Sequence, residues 1–212
     1  MSEHTTFDWS RRQRTGLPEV VFGAHKSSEQ IRDVVSEHRE RSVPLLITRL
    51  TAAHYEDLSD LPLDFDETAC TATFLAPAAS ATPADVAIVT AGTSDLPVAR
   101  EALVSARFFG LGAVLYPDLG VAGLWRLGEK LDALNECRLI IAVAGMEGAL
   151  FSVISGLVRA PVIAVPTSVG YGVSTGGTAA LHSALASCSP GVVTVNIDNG
   201  FGAAAAARKF LS

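Results

Sequence analysis

From residue 86 onward the chain repeats one rhythm: a short continuous apolar run, a polar or glycine-rich loop, then a segment with helical spacing. Strands are expected at 86–91, 113–116, 138–144, 162–165 and 192–197. None alternates apolar with polar residues, which fits a parallel sheet covered on both faces. The expected fold is α/β, a three-layer α/β/α sandwich with a mostly parallel sheet and right-handed crossovers. Residues 83–212 form this domain. Before it the rhythm is absent. Ser27 or Ser28 caps a helix over 29–41, whose apolar face is Ile31, Val34 and Val35, and Pro44 stops it. A strand at 45–47, a short helix at 52–58 and an extended piece at 68–75 complete a small α+β N-terminal region, 1–82. That region has too little core to be expected to stand alone, so it is expected to dock on the larger domain. Residues 77–83, rich in Ala, Ser and Thr, read as the linker.

Every expected strand ends in a loop suited to a ligand, because ligands of open α/β sheets sit at the carboxyl ends of the strands. The loops are Thr93-Ser94-Asp95, Asp118-Leu119-Gly120, Gly145-Met146-Glu147-Gly148, the stretch 166–177 and the turn 196–200. In the fourth, Gly170, Gly172, Gly176 and Gly177 alternate with Thr167, Ser168, Ser174 and Thr175, leaving backbone N–H groups free for an anion. Its spacing matches neither G-x-G-x-x-G nor the P-loop, and a flexible surface loop is the plain alternative. Thr93, Ser94, Asp95 and residues 167–172 are the expected phosphate and ribose contacts. Asp95 reads equally as a helix cap, and Asp198 as the closing residue of an Asx-turn with Asn199 and Gly200.

Composition narrows the partners. The 212 residues carry a formal charge of −6 and no long Lys/Arg run, so nucleic acid and anionic membrane are not expected as partners. Arg11 and Arg14 read either as part of a solvated arm or as phosphate contacts. The three cysteines, Cys70, Cys137 and Cys188, are odd in number and far apart, which points to a reducing cytoplasm rather than disulfides or zinc. No stretch reaches about 18 apolar residues, and the opening segment lacks an apolar signal region, so a cytoplasmic location is expected.

The segments AGTSDLPVAREA (91–102), DLGVAGLWRL (118–127), AGMEGALFSVISGL (144–157), PVIAVPTSVGYG (161–172) and VNIDNGFGAA (195–204) resemble the LarB family of nickel-pincer nucleotide cofactor biosynthesis enzymes. The opening Arg11-x-x-Arg14-x-Gly16-x-Pro18-Glu19-Val20 is similar too. The C-terminal part in turn resembles the aminoimidazole ribonucleotide (AIR) carboxylase, or PurE, fold. The resemblance implies carboxylation by CO2 at C5 of the pyridinium ring of nicotinic acid adenine dinucleotide. Hydrolysis of the phosphoanhydride then gives AMP and pyridinium-3,5-biscarboxylic acid mononucleotide. It implies Cys188 and Glu147 as catalytic residues and an octamer with sites between subunits. Substrate contacts follow at Thr93, Ser94, Asp95, Asp118, Gly145, Met146, Gly148, Thr167, Ser168, Gly170, Tyr171, Gly172, Asn196, Asp198 and Asn199. Trp125 departs from the family's G-V-A-G-x-H-R pattern, which has a histidine there.

The chemistry suits those residue types. A pyridinium carbon cannot attack CO2 until something donates electrons to the ring, and a thiolate adding at C4 turns C5 into an enamine carbon. A base must then remove the C5 proton. Glu147 is the candidate, with partial desolvation in its crowded loop expected to raise its pKa. Phosphoanhydride hydrolysis calls for a divalent ion such as Mg²⁺ on the phosphates, with Asp118 and Asp198 as candidate carboxylates. Because Cys188 precedes the last strand, it is expected on the rim opposite the other loops, and a site shared between subunits follows. An AIR carboxylase would instead need an imidazole proton shuttle, and no histidine lies between His54 and His182. A non-enzymatic nucleotide-binding module is the third reading.

Overall fold

The structure is a computed structural model and describes residues 6–78 and 85–212. The chain divides into two compact units, Met1–Ala78 and Ala79–Ser212. Most of the expected linker lies outside the described residues.

The first unit runs α1 (Arg11–Thr15), β1 (Val21–Phe22), α2 (Ser28–Arg41), β2 (Leu45–Thr48), α3 (Ala52–Glu56), β3 (Asp64–Asp66) and β4 (Thr71–Phe74). Its sheet has the order β1-β2-β4-β3, parallel between β1 and β2 and antiparallel elsewhere. Helix α2 starts where a capping box fixes it: Ser27 Oγ accepts from the Gln30 N–H and Gln30 Oε1 from the Ser27 N–H. Its apolar stripe, Ile31, Val34 and Val35, packs on Leu45, Ile47, Ala72 and Phe74 of the sheet. The unit therefore has a core of its own, more than its sequence led us to expect. The two smallest strands, β1 and β3, carry no legible pattern because each is only two or three residues long.

The second unit continues with β5 (Val86–Thr90), α4 (Leu96–Phe108), β6 (Ala113–Tyr116), α5 (Leu124–Gly128), α6 (Leu131–Asn135), β7 (Leu139–Ala144), α7 (Ala149–Ser155), β8 (Val162–Pro166), α8 (Thr178–Leu185), β9 (Val192–Thr194) and α9 (Gly200–Phe210). All five strands are parallel, in the order β6-β5-β7-β8-β9. This is the three-layer α/β/α sandwich expected from the apolar runs. Successive residues of one strand serve opposite faces. Ile140 and Ala142 of β7 join Leu127, Leu134, Phe151 and Ala180 on one side, while Ile141 and Val143 join Leu103, Ala203 and Ala207 on the other. Among the described residues no helix is long and apolar enough to cross a membrane.

The strand order fixes where a ligand can enter. The connection from β5 leads outward to β6, and the chain then returns to place β7 on the other side of β5. Loops after β5 and β7 consequently diverge and leave a crevice at the carboxyl edge, the topological switch point of such sheets.

Candidate active site

A cavity of about 300 Å³ occupies that crevice. The loop after β5 supplies Ala91, Gly92, Ser94 and Asp95; the stretch after β6 supplies Gly120, Val121, Ala122 and Arg126. From the end of β7 into α7 come Ala144 to Leu150, and Val169 of the loop after β8 closes the side. Its titratable lining groups are Asp95, Arg126 and Glu147.

Asp95 is only 3% exposed. One carboxylate oxygen accepts the Thr167 hydroxyl at 2.7 Å and the other the Gly92 N–H at 3.0 Å, and a backbone bond from Gly145 reaches the same group. Burial pushes the Asp95 pKa up, opposed by these hydrogen bonds and assisted by the charge of Asp198. One carboxylate thus ties together the loops after β5, β7 and β8. The expected helix cap is not formed: Asp95 makes no side-chain cap bond to α4, because its oxygens are committed to the loops.

The neighbouring loops are held by unusual backbone. Asp118, Met146 and Asp198 all have left-handed φ, at 59°, 52° and 56°. The Asp118 N–H meets Thr90 Oγ1 at 3.0 Å and the Met146 N–H meets the Val169 carbonyl at 2.8 Å. The Asp198 N–H meets the Pro166 carbonyl at 2.8 Å, and its carboxylate accepts the Ser168 N–H at the same distance. A Cβ at Gly145 would collide with the Val169 carbonyl and lie 2.7 Å from Thr167 Oγ1, so the close approach of these loops requires glycine there.

Arg126 is the cavity's cation. Its Nη1 pairs with the Asp118 carboxylate, and its Nε is buried with no hydrogen-bond partner. Such an orphaned donor at a cavity wall is a ready partner for an anion. Arg126 was not among the expected site residues, although it is the arginine that ends the G-V-A-G-x-H-R pattern. The apolar wall residues Val121, Ala122 and Leu150 were not singled out, because nothing in their type marks a ligand contact.

The expected site residues fall into three groups. Ser94, Asp95, Gly145, Met146, Glu147 and Gly148 line the cavity. A second group buttresses it from behind. Thr93 opens the turn that carries Asp95, Asp118 holds Arg126, Thr167 holds Asp95, and Ser168 meets Asp198. Asn196 and Asn199 spend their side-chain oxygens on the Ile197 and Gly202 N–H groups, and β9 ends at Thr194, short of the expected 197. Gly170 sits against Ser174, while Tyr171 is 77% exposed and Gly172 takes φ of 59°. The third group is the arginine pair. Arg11 and Arg14 belong to the first unit, where both pair with Asp8, whose carboxyl Arg14 and then Arg11 hold well below the usual range.

Cys188 is exposed, in the turn between α8 and β9, and does not line the cavity. Ser187 Oγ lies 2.8 Å from Ser152 Oγ, and Ser189 Oγ donates to the Ser152 carbonyl at 3.0 Å, so the turn is stitched along α7. Glu147 lies just before the start of that helix, which is about 10 Å long. One chain therefore sets the thiol and the carboxylate toward opposite ends of α7. The burial expected for Glu147 is also absent: its side chain is exposed, since the small neighbours Gly145 and Gly148 leave it projecting.

As for a metal, no group of three His, Cys, Asp or Glu converges among the described residues. A protein cage is not what Mg²⁺ requires, because it keeps several waters and is commonly held by one carboxylate plus substrate phosphates. Neither expected carboxylate lines the cavity: Asp118 is paired with Arg126, and Asp198 accepts the Ser168 N–H.

Residues 85–212 match the AIR carboxylase family, and residues 1–75 match the LarB/PurE-like N-terminal domain. An uncharacterized protein of Methanocaldococcus jannaschii, MJ0165, is 39% identical over 215 residues, spanning 96% of this chain and 82% of that protein. The second unit is thus a PurE-like domain of the carboxylase type. With its N-terminal domain included, the chain belongs to the LarB family.

Proposed function

We propose that the chain carboxylates C5 of the pyridinium ring of nicotinic acid adenine dinucleotide and hydrolyses the phosphoanhydride, giving AMP and pyridinium-3,5-biscarboxylic acid mononucleotide. The observation that carries this reading is the character of the cavity wall: two carboxylates and one guanidinium, with no imidazole. A PurE-type reaction on an aminoimidazole, already an enamine, would call for an imidazole shuttle at this wall. A cationic ring needs a nucleophile instead, and Cys188 is the exposed thiol of the catalytic unit.

The Cys188 thiolate adds to ring C4, and the electron pair displaced from the ring neutralises its cationic nitrogen. C5, now enamine-like, forms a bond to the carbon of CO2. Glu147 takes the C5 proton, and the electrons of that C–H bond restore aromaticity as the thiolate leaves. No oxidant or reductant is consumed. Arg126, with its unpartnered Nε, receives a phosphate or carboxylate of the substrate. Asp118 keeps the guanidinium in place. Bound Mg²⁺ would supply charge neutralisation on the diphosphate.

Because Cys188 and the cavity lie apart in one chain, the site is read as shared between copies in a homo-oligomer, an octamer by family resemblance. Mass analysis of products from nicotinic acid adenine dinucleotide, bicarbonate and Mg²⁺ tests the reaction. A carboxylated mononucleotide plus AMP is expected, and Cys188→Ser should lose carboxylation. Turnover of aminoimidazole ribonucleotide with none of the dinucleotide would overturn the proposal. Unchanged function in Cys188→Ser would point to a binding module.

A further inference from the structure

The cavity is small for the substrate proposed above. At about 300 Å³ it is at the lower limit of ligand pockets, enough for one ring and its ribose but not for a dinucleotide with two nucleosides. The second nucleoside has to lie outside. Immediately before Arg126 on α5 stands Trp125, 66% exposed, with Leu124 beside it half exposed. None of the ring contacts among the described residues involves Trp125; they lie at Phe7, Trp9 and His38, at Tyr55 and Phe65, and at Phe108, Phe109 and Phe201. The turn preceding α5 lines the cavity through Gly120, Val121 and Ala122. An indole that large, open to water, next in the chain to a cavity-lining arginine and without a ring partner, offers an aromatic face to a ligand.

The exposed indole of Trp125 is the next residue in the chain to Arg126, the guanidinium that lines the cavity. A dinucleotide carries its diphosphate between a ring nucleoside and a purine. We propose that Trp125 is the platform on which the adenine stacks, with Arg126 receiving the diphosphate between it and the enclosed ring. The proposal rests on the dinucleotide reading. It assigns Trp125 a role in choosing the dinucleotide over a mononucleotide, because only the former reaches the indole.

The test uses the full chain, with fluorescence and calorimetric titrations. AMP is expected to quench indole emission in the native protein and in Trp9→Phe, and to leave Trp125→Ala unaffected. Trp125→Ala should weaken nicotinic acid adenine dinucleotide about 10- to 100-fold while leaving nicotinic acid mononucleotide unchanged, and Trp125→Phe should restore most of the loss. Three results overturn the stacking role: no quenching by AMP, equal weakening of both nucleotides, or Trp125 emission of a buried indole before any nucleotide is added. The last would mean that a second copy covers it. A dinucleotide that binds in a Trp125-dependent way but is never carboxylated would leave the platform standing and remove the proposed reaction.

Discussion

Asp95 shows how one side chain can decide the shape of a site. It accepts from Gly92, Thr167 and Gly145, on three different loops, in a place with almost no water. Asp95→Ala leaves those donors without partners and should cost at least about 2 kcal/mol in urea unfolding, since each buried orphan costs roughly 1–3 kcal/mol. Asp95→Asn should cost less, because an amide can still accept from Gly92 and donate to Thr167. Equal losses for the two would mean that only a full carboxylate, with both oxygens accepting, satisfies these donors. His38 gives a prediction of a different kind. Its Nδ1 donates to the Val34 carbonyl at 2.8 Å, while Nε2 is buried without a partner between Phe7 and Trp9. Burial pushes its pKa down; the Val34 bond and the charges of Glu37 and Glu19 oppose this, and Arg41 assists it. The folded state therefore binds a proton less readily than the unfolded one, whose imidazole titrates near pH 6.5. The stability His38 contributes should be complete above that pH and fall as pH drops through the lowered value. Thermal unfolding followed at Trp9 from pH 8 to 5 should show this fall, and His38→Leu should flatten it. A slope unchanged in the variant would assign the acid sensitivity elsewhere.

At the scale of elements, the loops after β7 and β8 meet so closely that one methyl group is too much. Gly145→Ala would drive a Cβ into the Val169 carbonyl, which is backbone and cannot swing aside. We expect a loss of about 1–3 kcal/mol, read as a lower thermal midpoint, together with loss of nucleotide binding. Gly128, at the end of α5, has no left-handed φ and a Cβ there would meet nothing within 4 Å, so Gly128→Ala serves as the control. Residues of this kind mark where sequence reading stops. The strands of the second unit were legible because burial on both faces leaves long apolar runs, and α2 because a serine pair, Ser27 and Ser28, precedes the apolar stripe of Ile31, Val34 and Val35. The carboxyl-edge loops were legible as loops. Their inner arrangement was not, because the left-handed φ of Asp118, Met146 and Asp198 goes with hydrogen bonds to Thr90, Val169 and Pro166, residues far away along the chain. Asn196 and Asn199 look like ligand contacts in a row of letters, yet each caps its own turn. Arg126 looks like an ordinary surface cation until Asp118, eight positions earlier, is seen to hold it against the cavity.

On the scale of the whole molecule, the separation of Cys188 from the cavity becomes a statement about assembly. In a parallel sheet, residues before a strand and residues after it lie on opposite edges, and α7 spans the distance between them. In the proposed assembly a second copy brings the thiol to the cavity, and such a contact joins unlike surfaces, the arrangement that closes into rings. The proposal has a consequence that no single-chain site shares. Cys188→Ser retains Glu147 and the cavity; Glu147→Gln retains the thiol. Each variant alone should be inactive as a carboxylase. Mixed and allowed to exchange subunits, they should regain activity, because about a quarter of randomly formed interfaces pair an intact thiol with an intact cavity. If each chain carried its own complete site, every chain in the mixture would lack one group and nothing would return. Recovery that scales with the degree of exchange would place the thiol and the carboxylate on different copies. Its absence, in a mixture shown to have exchanged, would require α7 or the 187–190 turn to move within one chain.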